Sequence, residues 1–224
     1  MSKWNGTGGL LLWIDVDPAL QREADAWYVA EHLPERVDIA HYRNARRYVA
    51  VEGAPRYLSI FEADTPVALA SEGYLGLVRQ ISAQSQRIRA GFSTVVRNTF
   101  SVRVSVGRGR GGMVGSFRLN VNGDAGAIQK AEAAIDALMP QLARENGVVG
   151  AHWLKAAPEV RARLDAVRAV GQQDQAVAYV LLVEVTQRQE ISALRERMLS
   201  PSALAKLGWT EEAFGVYQLM VEFS

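Results

Sequence analysis

The chain has 224 residues, a formal net charge of +1 and no cysteine. That length suits one large domain or two small ones, and the near-neutral balance argues against a dedicated nucleic-acid or membrane-surface binder. Without cysteine there can be no disulfides, thiolate nucleophiles or Cys-based zinc or iron–sulfur sites.

The first residues, Met1 to Gly6, hold no apolar run long enough for a signal peptide, and no later segment is apolar enough to span a bilayer. A cytoplasmic protein without membrane contact is expected. Gly9 to Val16 is a short apolar run bounded by glycines and by Asp17-Pro18, which reads as a buried strand. Pro18 to about Ala40 is helix-like, with Pro18 suited to a first helical position. Ala45 to Glu52 and Tyr57 to Ala63 flank Gly53-Ala54-Pro55, the pattern of a hairpin. A second helix is expected over Tyr74 to Ala90, and Thr94 to Val106 alternates as a strand. The order is β-α-β-β-α-β, the ferredoxin-like motif.

Residues 107–112, Gly-Arg-Gly-Arg-Gly-Gly, read as a linker. A phosphate-cradling glycine loop would need a helix directly after it, whereas a strand follows. The β-α-β-β-α-β order then returns. Met113 to Val121 is a strand, Asp124 to Asn146 an amphipathic helix ended by Gly147, and Val148 to Lys155 and Ala176 to Val185 are strands. Glu190 to Leu207 is helical and Phe214 to Phe223 closes as a strand. Pro158 to Val170 looks like an inserted helix where the first half has a short turn. The expected fold is therefore α+β: residues 1–106 and 113–224 form two tandem ferredoxin-like repeats whose apolar faces bury each other in a barrel. Exposed outer strands would leave a homodimer open.

The most informative stretch is Trp27-Tyr28-Val29-Ala30-Glu31-His32-Leu33-Pro34-Glu35-Arg36, followed by Arg43-Asn44-Ala45-Arg46-Arg47-Tyr48. It resembles the W-Y-x-x-E-H-x-P helix and the Arg/Tyr-rich second strand of the dimeric α/β-barrel (EthD-like) superfamily. Tyr57-Leu58 to Phe61-Glu62 matches the third strand of that pattern. The resemblance covers residues 9–106, and the second half follows by topology alone. It implies a pocketed barrel acting on a small organic molecule. It does not name a reaction, because relatives include monooxygenases, isomerases, cyclases and decarboxylases.

On a helix, Tyr28 and His32 share a face, as do Trp27 and Glu31. Pro34 cannot donate to the carbonyl of Ala30, so the helix should break near Leu33 and leave His32 at a C-terminus, where the dipole favours its protonated form. His32 is then the candidate acid–base group or oxygen donor, with Tyr28 beside it. The plainer alternative is that His32 only caps the helix, with Glu31 and Arg36 solvated. Trp27 is chiefly expected in the core and is carried as a substrate contact second. Alternation sets Arg46 and Tyr48 on one face of their strand and Arg47 on the other. One arginine could bind a substrate carboxylate or enolate inside the barrel while the other meets solvent, or both could be surface or interface ion pairs. His41 is expected in an exposed loop, and Asp17 at a helix cap rather than in a paired-carboxylate site with Asp15.

Three scattered histidines give no metal-ligand spacing, and no Walker, Rossmann, kinase or G-x-S-x-G signature appears. The aromatic strand motif of an RNA-recognition domain is missing, so no nucleic-acid partner is expected. The leading reading is a cofactor-independent enzyme acting on a small aromatic or polyketide-like molecule. It would use His32 and Tyr28 as catalytic residues and Arg46, Arg47, Trp27 and Tyr48 as substrate contacts. Two alternatives stand beside it: a non-catalytic ligand-binding or regulatory module, and a haem protein of the chlorite-dismutase kind with His152 as ligand.

Overall fold

A computed structural model describes residues 4–167 and 174–224. Its strands are β1 (Gly8–Val16), β2 (Tyr42–Gly53), β3 (Tyr57–Ala63), β4 (Phe92–Gly107), β5 (Met113–Asn120), β6 (Val148–Ala156), β7 (Tyr179–Val185) and β8 (Thr210–Phe223). They form one closed barrel in the order β1-β3-β2-β8-β5-β7-β6-β4, with every neighbouring pair antiparallel. Within the barrel the first four strands run β4-β1-β3-β2 and the last four run β8-β5-β7-β6. The two sets meet at β2·β8 and at β4·β6. Closure within one chain pairs both edges of each set, which removes the exposed-strand argument for a homodimer.

Alternation sends one side chain of each pair inward and the next outward. Leu11, Trp13, Leu58, Ile60, Phe100, Leu154 and Tyr217 form the inner apolar cluster. Outward residues pack under two separate helical layers. Over the first half lie α1 (Gln21–Trp27), a π-helical turn at Tyr28–His32, α2 (Pro34–Val37), α3 (Glu72–Arg79) and α4 (Ala83–Ala90). Over the second lie α5 (Ala125–Leu142), α7 (Arg188–Arg197) and α8 (Pro201–Lys206). The remaining helix, α6 (Pro158–Asp165), belongs to the β6–β7 connection, yet its buried residues Val160 and Leu164 sit in the first half's core. Trp4 packs into the inner cluster. Gly9 makes room for it, because a Cβ there would come within 2.8 Å of the indole.

Several expected helices are divided or shortened, for a local reason where one is visible. The single helix expected at 74–90 becomes α3 and α4, because Ser82 caps a new start by accepting from the Ser85 amide at 2.9 Å. The one expected at 190–207 is split by Pro201, which follows the Ser200 cap and opens α8. The helix expected to reach Asn146 ends at Leu142. The inserted helix ends at Asp165, and the end expected for it, residues 168–170, lies outside the described residues. Asp17 does cap, accepting from the Ala19 amide at 2.8 Å. His41 is exposed and pairs with Asp64 at 3.0 Å. Among the described residues, no helix is long and apolar enough to cross a membrane.

Candidate functional site

Pro34 shapes the site from below. It opens α2, and the turn before it widens, so that the Leu33 amide donates to the Tyr28 carbonyl at 3.0 Å, five residues back. This π turn moves His32 around the helix until its ring meets Trp27 (centroids 4.2 Å apart) as well as Tyr28 (4.8 Å). The same turn aims Glu31 at α4, where it accepts from the Ser82 and Ser85 hydroxyls, both at 2.7 Å. The freed carbonyl of His32 is capped by Arg36, whose Nη1 donates at 3.1 Å. Arg36 is buried rather than solvated, and it caps the helix end in place of His32.

His32 is 6% exposed, and its Nδ1 has no hydrogen-bond partner among the described residues. Burial drives its pKa well below the ordinary value, and the cations of Arg36, Arg89 and Arg47 push the same way. The helix-end position was expected to favour imidazolium. Desolvation and three guanidinium groups outweigh that dipole and favour the neutral imidazole.

The imidazole forms part of the wall of a cavity between the first-half sheet and its helices, with about 70 Å³ open to the centres of water-sized molecules. Leu10, Leu12, Phe61, Phe92 and Val95 form its strand side. Tyr74 and Val78 come from α3, Leu164 from α6, and Arg36, Arg89 and Arg97 supply the charge. No carboxylate lines it among the described residues. Arg36 is tied to Glu35 at 2.9 Å. Arg97 is tied to Asp165 and, at 2.8 Å, to Asp174.

The other expected contacts lie elsewhere. Trp27 stands behind His32 in the core and donates its indole N–H to Ser85 at 3.1 Å. Tyr28 is buried, does not line the cavity, and its hydroxyl has no partner among the described residues. Arg47 faces outward from the barrel but does not meet solvent. Its guanidinium is sandwiched between the rings of Tyr28 (3.5 Å) and Tyr57 (4.0 Å) and is tied to Asp25 at 2.9 Å.

Arg46 and Tyr48 share a face, as alternation implies, and that face is the inside of the barrel, so they share no cavity with His32. Arg46 forms ion pairs with Glu62 and, at 2.8 Å, with Glu184, and donates to the Tyr48 hydroxyl at 2.7 Å. The carboxylates that Arg46 meets belong to the protein itself. Burial alone would raise the Glu184 pKa, but Arg46, the His152 hydrogen bond and Arg110 together hold it well below the usual carboxylate range. Residues 107–112 are more than a spacer: Arg110 reaches Glu62 at 2.8 Å, and the Gly111 amide donates to Glu184 at 2.8 Å.

His152 belongs to this inner cluster. Its Nδ1 lies 2.7 Å from the Ser105 hydroxyl, its Nε2 3.3 Å from Glu184, and its ring packs against Trp4. Both nitrogens are engaged and the ring is fully buried, so His152 does not fit the role of haem ligand. On the outer face of the second half, Trp153 stacks on Tyr179 (5.4 Å), and Trp209 meets both rings edge-on.

Neither a protein-family model nor a curated protein sequence matches the chain. Solved structures do. An anthrone oxidase-like protein aligns with a TM-score of 0.64 at 14% identity, over 100% of this chain and 95% of that one. A candidate monooxygenase from Fusobacterium nucleatum subsp. nucleatum aligns at 0.60 with 7% identity, over 97% and 94%. A haem-binding protein from Thermus thermophilus aligns at 0.56 with 11% identity, over 96% and 92%. The chain thus has a ferredoxin-like α/β-barrel fold shared with monooxygenase-like proteins. At such identities the likeness concerns the fold, and the chemistry rests on the site.

Proposed function

We propose that the protein is a cofactor-independent enzyme that removes a proton from a small aromatic or polyketide-like molecule held in the first-half cavity. Its two halves are read as tandem ferredoxin-like repeats of the EthD-like kind, a reading supported by their matching strand orders. The observation that carries the function is His32: a buried, neutral imidazole with an unpartnered Nδ1, set in an otherwise largely apolar wall among guanidinium groups.

A neutral imidazole can accept a proton, and a positioned base typically contributes about 10²- to 10⁴-fold. The acid C–H or O–H of the substrate would give its proton to His32 and keep the electron pair as an enolate or phenolate. The cations that make imidazolium unfavourable, Arg36 and Arg89 among them, favour that anion. This single step serves isomerase, cyclase, lyase and monooxygenase chemistry alike. Ligand orientation falls to the apolar strand side chains and Tyr74, the usual division of labour in such pockets.

The test is His32→Ala, assayed for turnover over a panel of phenols and enolisable aromatic ketones, with its melting curve measured in parallel. Loss of turnover in a folded variant is expected. A folded variant with full activity sinks the assignment. Saturable binding without turnover of any panel member by the wild type would instead establish a ligand-binding module.

A further inference from the structure

The cavity described above is not built by the first half alone. Helix α6 comes from the connection between β6 and β7, where the corresponding β2–β3 connection is a short turn. Its residues Val160 and Leu164, each 1% exposed, are buried in the core of the other half, and Leu164 is part of the cavity wall.

Its placement is fixed at both ends by β4. At the start, the Ala157 amide donates to the Thr99 carbonyl at 2.8 Å, and the Thr99 hydroxyl donates to the Ala157 carbonyl at 2.9 Å. At the far end Arg97, itself a cavity residue, holds Asp165 and Asp174. Arg161 of α6 donates back to the Arg97 carbonyl at 2.6 Å. A side chain on a helix held in this way faces the ligand space at a fixed depth.

We propose that α6 is the specificity element of the first-half cavity, with Leu164 setting how long a planar ligand can be. This rests on the reading of that cavity as the ligand site. A hydrophobic wall discriminates by size, and one methylene more or less changes selectivity about 10- to 200-fold. The second half thereby selects what the first half binds.

The experiment measures dissociation constants for 2-naphthoate and 2-anthroate, two- and three-ring planar anions that differ by one ring in length and whose fluorescence reports binding. Wild type, Leu164→Ala and Leu164→Phe are compared, with Leu194→Ala in the second-half core as control. The ratio of the two constants should move about tenfold toward 2-anthroate in Leu164→Ala and toward 2-naphthoate in Leu164→Phe, and stay fixed in the control. Leu164→Phe keeps the apolar contact and carries the test by itself if Leu164→Ala does not fold. Binding with an unchanged ratio overturns the role of α6 and leaves the cavity reading standing. A shift in the Leu194→Ala control also overturns it. Failure of every protein to bind either probe overturns the cavity reading and this inference together.

Discussion

Arg46 and His152 occupy matching places in the two halves and converge on one carboxylate. Arg46 lies across from Ile60, two residues before Glu62. His152 lies across from Leu182, two residues before Glu184. Both reach Glu184, at 2.8 Å and 3.3 Å. The barrel axis therefore holds a buried ionic cluster in which each acid is shared by several donors.

The first prediction follows from that sharing. Arg46→Met removes the fully buried cation between two buried carboxylates and should cost about 3–5 kcal/mol, because only the more peripheral Arg110 is left to balance both acids. Adding Glu184→Gln should cost less than the sum of the two single changes. Urea unfolding of the three variants reads this double-mutant cycle. Strict additivity would mean that the pair is not coupled.

The pH dependence of stability has a sign set by His32. Its folded pKa is depressed, so below its ordinary value of about 6.5 the unfolded chain takes up a proton that the folded protein refuses. Stability from this group is complete above that pH and falls as the pH drops toward the folded pKa. The slope reaches about 1.4 kcal/mol per pH unit. His32→Gln should flatten this limb. Melting temperatures measured from pH 7.5 to 5 should then converge for the two proteins at the acid end.

Glu184 acts at lower pH. Its folded pKa lies below the usual carboxylate range, so the stability it contributes is present above about pH 4.3 and is lost as acid titrates through the folded value. Glu184→Gln should be less stable than wild type at neutral pH and should show a shallower acid limb. An unchanged acid denaturation profile would contradict the buried-network account.

Tyr28 and Arg47 give a paired prediction. The Tyr28 hydroxyl is buried without a partner among the described residues, so Tyr28→Phe should shift stability by no more than about 0.5 kcal/mol and leave turnover intact. Arg47→Ala removes a cation held between two aromatic faces and should cost about 2 kcal/mol. Lost turnover in a stable Tyr28→Phe would return that residue to the chemistry.

Much of this was legible in the residues, and the gaps have identifiable causes. The eight strands show as apolar or alternating runs, and alternation correctly parts Arg46 and Tyr48 from Arg47. Periodicity cannot show where a helix is cut, because Ser82 and Pro201 act through caps and a missing donor rather than through the apolar pattern. The widened turn before Pro34 was legible only as a break. It brings His32 against Trp27, a contact that four-residue spacing does not suggest. Arg36, Arg89, Arg97 and Tyr74 reach the cavity from separate elements, and their convergence is a tertiary fact with no local mark. The inner carboxylates did leave a trace: Tyr57-x4-Glu62 and Tyr179-x4-Glu184 put an acid at the same inward phase of two largely apolar strands.

The joining peptide between the halves has a final consequence. Arg110 and Gly111 answer the charges of Glu62, Glu184 and Glu222, which makes the connector an internal counter-ion. A simple tether could be lengthened, nicked or deleted, with two polypeptides then assembling side by side. Here fission would loosen Arg110 and the Gly111 amide from their acids and leave Arg46 as the main cation balancing Glu62 and Glu184, so the connector belongs to the interior electrostatics of the barrel.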